Sequence, residues 1–455
     1  MESIILTAVI VLLGAAGVAL VLSRRMRLAV SAVANLAQGF LPPFTNSLSA
    51  GLLWTLAMAP KTVMDCWRQL RHPVAVMVSF ILAFQLVAGL WSEDLSIWRI
   101  RVLQTFAFWV VVLLAFELQS RGRSVMQIVL ASSTPLVVFQ SAAVVLFRVF
   151  PNREAAYLHS DWAGSLIGSA VRGLYSGDPN NVLDPAKSGG LLNANANVAS
   201  MLLGMYLMGY LWWWLTSGSH LALAMAVLTG LSVPFTGSKT GLILLAGLGL
   251  FVGLSWLLAS RKKIWIFLVS MIVVLGGGAI GASVFLDRDV SGISAQTDTS
   301  WGTRLTLWGA AGRYFATNPV FGLGFGGWES RMRATRGELG ITEVLPPHNF
   351  LIAMWAESGV TSVLVVVALF AVFLVWGITG VRSSVSGKAA VGAAALIGIV
   401  AWAFFHGMAD NTTFFGTTQT AALFAAALAV VSPPGAGPFG RARGGVRDDE
   451  PRSGP

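Results

Sequence analysis

A series of apolar stretches, each about 20 residues long and parted by short charged segments, constrains this chain more than any other feature. A stretch of that length is what one helical crossing of a bilayer requires. The charge balance agrees. Only 11% of the residues are charged and 55% are hydrophobic, against about 25% charged in ordinary soluble proteins. Too few charges remain to cover a globule of 455 residues, so the surrounding solvent must be largely lipid. The 17 Trp and 26 Phe fit the two bilayer interfaces, where aromatics gather. A formal net charge of +10 could suggest nucleic acid, but the Lys and Arg residues form short clusters between apolar runs, with no basic stripe and no binding motif. Nucleic acid is excluded as a partner on these grounds. The single cysteine, Cys66, permits neither a disulfide framework nor a thiolate metal site within the chain and reads as a packing residue.

The spans run over residues 3–22, 74–91, 101–118, 125–149, 193–215, 219–236, 240–259, 263–286, 349–378, 389–408 and 416–432. The first, Ile4–Leu22, reads as a retained span, because Arg24, Arg25 and Arg27 follow the apolar stretch and no small-residue cleavage site is evident. Residues 28–60 are apolar but broken by Pro42 and Pro43, and fit either one span with a surface segment or a tight hairpin. The expected fold is an all-α polytopic membrane protein of about 12 transmembrane helices, within about 11–13. Residues 1–432 form the membrane domain, and the Gly-, Pro- and Arg-rich tail 433–455 is expected to be a disordered cytoplasmic extension.

Basic residues in short loops set the orientation. Lys61, Arg68, Arg71, Arg121, Arg123, Arg261, Lys262, Lys263, Arg382 and Lys388 fall on one side, which reads as cytoplasmic, joined by Arg441, Arg443 and Arg447. Only Arg24, Arg25 and Arg27 resist, since a twelve-span count places them outside. Two long loops, 150–192 and 287–347, then lie outside. Loops longer than about 15 residues are usually functional or disordered. The second keeps Trp301, Trp308, Tyr314, Phe315, Phe321 and Trp328, and is expected to fold over the bundle.

In this topology the spans 193–215, 240–259 and 349–378 all begin at the outer face, where helix dipoles and free N–H groups favour anions. Lys239 sits at one start, in Thr236-Gly237-Ser238-Lys239-Thr240-Gly241, either snorkelling to headgroups or binding an anion. His348 and Asn349 sit at a second, after Pro346-Pro347, and the imidazole can cap, act as a base or pair with phosphate. Arg304 lies in the outer loop and suits bidentate phosphate binding, with Arg313 a weaker candidate nine residues on. Asn193, Asn195 and Asn197 open the third helix, as caps or as amides for sugar hydroxyls. Glu357, about 13 Å deeper than His348 in a continuous helix, is either functional or a buried structural hydrogen bond. Gly322-Leu323-Gly324-Phe325-Gly326-Gly327 reads as a backbone turn. No Asp-x-Asp pair, Walker loop or His-Glu-x-x-His stands out, so no metal or cofactor is expected.

Taken together, His348-Asn349-Phe350-Leu351 with Glu357-Ser358-Gly359 resembles the His-Asn-x-x-Leu…Glu-x-Gly signature of O-antigen ligases and Wzy-type polymerases. Arg304…Leu307-Trp308 with Asn318-Pro319-Val320-Phe321-Gly322-Leu323-Gly324 resembles the same family, as does Leu90-Trp91-Ser92-Glu93-Asp94 followed by Arg99. The likeness runs from about residue 74 to 415. It implies a GT-C-like, metal-independent, inverting glycosyltransferase of the bacterial inner membrane, active at its outer face. The donor would be an undecaprenyl-diphosphate-linked glycan, and the acceptor a hydroxyl on a glycan or lipid. Membrane lipids and other polysaccharide-assembly proteins are the remaining implied partners. By position, His348 would be the base or an acceptor-orienting group and Arg304 would bind the leaving diphosphate. Lys239 falls where ligases carry arginine, and Ser238-Lys239-Thr240 is closer to the exopolysaccharide-polymerase branch; Thr303 stands where the family has glycine. Polymerase, ligase and protein-glycosylating relative stay open within this reading. A secondary transporter of a small anionic or polar solute is the alternative from another class.

Overall fold

A computed structural model describes residues 2–40, 48–168, 171, 184–259, 290–341, 343–384 and 386–433. The expected span 263–286, the basic segment 260–263, Pro42-Pro43 and the tail beyond 433 lie outside the described residues. The described elements are helices, joined by turns and two isolated bridges. In chain order they are α1 (Glu2–Val21), α2 (Arg24–Ala37), α3 (Ala50–Asp65), α4 (Pro73–Ala88), α5 (Leu95–Ser120), α6 (Val125–Val149), α7 (Pro151–Leu158), α8 (Asp161–Leu166) and α9 (Ala196–Ser217). They continue with α10 (His220–Phe235), α11 (Lys239–Ala259), α12 (Val290–Thr317), α13 (Gly327–Thr335), α14 (Phe350–Ser358), α15 (Val360–Ser383), α16 (Gly387–Gly407) and α17 (Ala421–Val431). Among the described residues six stretches are long and apolar enough to cross a membrane: Pro73–Trp91, α5, α6, α9, α15 and α16. Four shorter apolar helices accompany them, Leu12–Val21, His220–Phe235, Lys239–Ser255 and Thr418–Val431.

The central seam is α9 against α16. A Cβ placed on Gly204 would come within 2.0 Å of the Trp402 ring, and one on Gly398 within 2.9 Å of Met208 Sδ. Gly392 faces Thr216 and Trp212. The pairs 392/216, 398/208 and 402/204 run in opposite directions, so the end of α16 lies level with the start of α9. Small residues give this closeness, as they do wherever helices meet without a hydrophobic driving force between them. The start of α11 joins the same end, since a Cβ on Gly241 would meet Ser200 Oγ at 1.8 Å.

Helices α2 and α3 pair as a hairpin rather than as one span with a surface segment. Arg27 donates to Thr62 Oγ1 (3.0 Å), Ser31 faces Met58 (3.2 Å) and Asn35 donates to Thr55 Oγ1 (3.2 Å), an antiparallel ladder between α2 and α3. Arg27 is 1% exposed and pairs with Asp65, which Lys61 also holds at 2.9 Å. The hairpin corrects the placing of the Arg24–Arg27 cluster: it sits with Lys61, on the basic end of the bundle. Gln69 donating to Glu117 (3.1 Å) and His72 against Ser432 (3.2 Å) bring the start of α4, the end of α5 and the end of α17 to that end.

The expected span 349–378 is two helices. Gly359, with φ at +86°, breaks it, and a Cβ there would meet Val320 O at 2.2 Å. The 24 residues of α15 suffice to cross a membrane alone, so the nine-residue α14, with Glu357 on it, precedes the span instead of lying within it. Helices α12, α13 and α14 pack on one another as a cover. Leu307, Ala310, Ala311 and Tyr314 of α12 pack with Trp328 and Met332 of α13 and Trp355 and Ala356 of α14 in a small core of their own. Helix α5 starts six residues before the expected 101, because Asp94 accepts from Ser96 N (2.8 Å) and Ile97 N (3.2 Å) and caps it there. Replacement Gly204→Val is expected to destabilise the fold by about 1–3 kcal/mol through overpacking. Gly247→Val is expected to leave it unchanged, since nothing lies within 4 Å of a Cβ there. Thermal unfolding of the purified protein in one detergent compares the two.

Candidate functional site

The site is built where the α12–α14 cover meets the end of α16, which lies level with the starts of α9 and α11. Two indoles hold its central loop. Trp308 donates to Pro347 O (3.0 Å) and Trp328 to Leu345 O (2.9 Å), while Trp355 donates to Pro319 O (3.1 Å). The Pro346-Pro347 segment cannot continue a helix backward, so α14 begins sharply. Asn349 caps it, accepting from Leu351 N (3.0 Å) and Ile352 N (3.4 Å). Immediately before the cap His348 has φ +47°. A non-glycine residue in that region is held against its preference, a cost that recurs at functional positions. Phe350 anchors the start of α14 on the end of α16, its ring 5.4 Å from that of Phe404.

Chemically the centre is a neutral imidazole near a cation. Burial, helped by the positive charge of Arg304, holds His348 down at about 4, so it is uncharged at neutral pH. Its Nδ1 lies 3.3 Å from Asn411 Nδ2. Burial raises the neighbouring Asp410 carboxyl, opposed by the Asn411 N–H and by the charge of Arg304. Around them a set of buried polar atoms has no hydrogen-bond partner among the described residues: both ring nitrogens of His406, Asp410 Oδ2, Asn411 Oδ1 and Thr412 Oγ1. Buried polar atoms are nearly always paired, so this concentration marks a place suited to a polar ligand or water.

Lys239 stands in a second group at the same end. It opens α11, is exposed, and lies within reach of the charges of Lys187 and Asp184, themselves paired at 3.5 Å. Asn195 caps α9, accepting from Asn197 N (2.7 Å), and Asn197 in turn accepts from Ser238 Oγ (2.8 Å), which ties the starts of α9 and α11 together. Buried Gln140 and Glu154 brace the adjoining loop. Gln140 donates to Gly189 O and accepts from Leu192 N, both at 2.8 Å, and Glu154 accepts from Gly189 N at 2.8 Å. Thus the charge of Arg304 acts on His348, while the charges that act on Lys239 come from Lys187 and Asp184.

Glu357 is ion-paired with Arg101 at 3.4 Å, beside Gln85, Thr105 and residues 411–414. Arg313 is exposed on α12. Sequence reasoning missed Arg101, Gln140, Glu154, His406 and Asn411. An ionisable side chain inside an apolar run was an available signal for Arg101 and His406. Asn411, close in space to a residue 63 positions earlier, offered none. Among the described residues no group of three or more His, Cys, Asp or Glu side chains is placed to hold a metal ion.

Fold and site together define a polytopic helical membrane protein with a polar, partly cationic centre at one end of its bundle. Residues 224–365, just under a third of the chain, match the family model described as O-antigen ligase, and over that stretch the match supports an O-antigen ligase and Wzy-type assignment. No curated protein matches the chain. The matched stretch holds Lys239, Arg304, Arg313, His348, Asn349 and Glu357, and the fold adds residues 184–197 and 406–412 from outside it.

Trp308→Phe removes the donor to Pro347 O and is expected to cost about 1–2 kcal/mol. Arg313→Ala, at an exposed position, is expected to stay within about 0.5 kcal/mol of the parent. Melting curves of the two variants check the difference.

Proposed function

We propose that the chain transfers or polymerises a glycan carried on undecaprenyl diphosphate, joining it to an acceptor hydroxyl of a second glycan or lipid. The reaction takes place at the outer face of the bacterial plasma membrane. The support for the orientation is the concentration of Arg24, Arg27, Lys61 and Arg121 at the opposite end, which the positive-inside rule assigns to the cytoplasm. The observation that carries the reaction is a buried, neutral His348, held at the start of α14 against Asn411 and within the field of Arg304, in the family-matched stretch.

In this mechanism the acceptor oxygen attacks the anomeric carbon as the bond from that carbon to the diphosphate oxygen breaks, and its electron pair leaves with the diphosphate. The acceptor proton passes to His348 Nε2. For Nε2 to be free, Nδ1 carries hydrogen, and a half-turn of the Asn411 amide, which exchanges Oδ1 and Nδ2, places Oδ1 to accept it. Asn411 is thus a positioning residue. Arg304 neutralises charge on the leaving diphosphate, with Lys239 and the start of α11 as a second cationic contact. One displacement inverts the anomeric configuration. Arg313 is a peripheral phosphate contact, Asn195 and Asn349 set the helix starts that face the substrate, and Glu357 with Arg101 fixes α14 beneath it. Serine and lysine at 238 and 239 favour polymerase over ligase.

The deciding experiment is glycan analysis in cells lacking this protein, complemented with wild type or His348→Ala at matched membrane levels. Surface polymer is expected to return only with wild type, and transfer by His348→Ala to fall about 10²–10⁴-fold. Accumulated single repeat units identify a polymerase and full-length lipid-linked chains a ligase. Full restoration by His348→Ala overturns the site and returns the transporter reading. The pH profile gives a separate check. Because His348 is held near 4, the acid limb of kcat/KM is expected there and not near the ordinary histidine value of 6.5.

A further inference from the structure

At the far end of α14 from His348 lies a cavity of about 540 Å³, lined by Trp91, Glu93, Asn318, Phe321, Leu323 and Arg331. Its size falls within the range of about 300–1,000 Å³ of ligand pockets. The walls come from two regions far apart in sequence, 91–93 and 318–331, which are tied to each other and to α14. Glu93 N and Asp94 N donate to Phe325 O (both 2.9 Å), Phe325 N donates to Ser92 Oγ (3.0 Å), and Leu323 N donates to Ala356 O (2.7 Å). Gly322, Gly324 and Gly326, all with φ between +73° and +81°, let the turn pass this close to the 91–94 segment and to α14. The cavity is therefore a preformed feature of the fold.

Its lining is chemically mixed. The rings of Trp91 and Phe321 meet edge to face with centroids 5.5 Å apart, and Phe321 is 66% exposed. Trp91 Nε1 is buried without a hydrogen-bond partner among the described residues. Glu93 and Arg331 are exposed. Planar carboxylate, amide and guanidinium groups beside an aromatic wall suit a ring with an apolar C–H face and several hydroxyls. A phosphate site would gather cations without a carboxylate, and a purely apolar occupant would leave Glu93, Asn318 and Arg331 unused.

We infer that this cavity is a glycan-binding subsite, holding sugars of the substrate chain a short distance from the bond being made. The inference rests on the transferase reading and extends it. The nine residues of α14 separate the cavity from His348 by about 13 Å, so the bound sugars lie beyond those that react. The subsite would therefore read the body of the chain and not its reacting end.

The test uses full-length protein in phosphatidylcholine nanodiscs. The probe is the oligosaccharide released by mild acid from the lipid-linked glycan of the host cells, titrated by tryptophan fluorescence and saturation-transfer NMR. Phe321→Ala, Glu93→Gln and Arg331→Ala are each expected to raise the Kd about tenfold, with melting temperatures unchanged because all three side chains are exposed. Unchanged Kd in all three overturns the subsite. So does loss of wild-type binding when phosphatidylglycerol replaces phosphatidylcholine, which identifies a headgroup site. His348→Ala is expected to bind the probe normally while failing to restore polymer. Full restoration by His348→Ala with normal probe binding sinks the transferase reading and leaves a glycan-binding cavity standing.

Discussion

The contact of the Trp402 indole with Gly204 sets the register on which the rest of this molecule depends. With no room for a side chain between them, α9 and α16 approach closely and cannot slide without a clash. That register fixes the height of residues 406–412 against Ser200, and Ser200 in turn touches the start of α11. Three separate chain segments are thus brought to one level before any polar interaction is made. The polar contacts that follow, Ser238 to Asn197 and His348 to Asn411, use a geometry that packing has already determined.

Over this rigid end the α12–α14 cover is attached by tryptophans. Each indole has a single N–H, and Trp308, Trp328 and Trp355 each direct it to a backbone carbonyl on a neighbouring segment. Their rings fill the small core at the same time. The chain between Leu345 and His348 is consequently held at two points within four residues, which is how a positive φ at His348 can persist. The imidazole is placed by its surroundings, and those same surroundings keep it dry enough to stay neutral.

Much of this was legible in the sequence. Apolar length located the long spans, and alternating basic loops found the basic end. The cap at Asn195 and the glycine turn at 322–327 were visible as local chemistry, since each depends only on nearby residues. Pairings between distant segments were not. Nothing local distinguishes a 30-residue apolar run crossing the bilayer whole from one broken at Gly359, because the break is enforced by Val320 on another segment. The Arg24–Arg27 cluster was misplaced for a similar reason: its side is decided by Asp65, across the α2–α3 hairpin. Arg101 as the partner of Glu357 lies on a helix that begins over 250 residues earlier, beyond the reach of any spacing rule.

The interlock between the 92–94 turn and the 322–327 turn has a consequence for biogenesis. Ser92 and Phe325 are 233 residues apart, which at about 5–20 residues per second separates their synthesis by roughly 12–47 s. Throughout that interval the first turn faces the membrane surface without its partner, and α4 and α5 must insert and pack on their own. The interlock therefore closes only after nearly three-quarters of the chain has been made, and residues 406–412, which reach His348 through Asn411, follow later still, so the polar end of the bundle is among the last parts of the molecule to assemble.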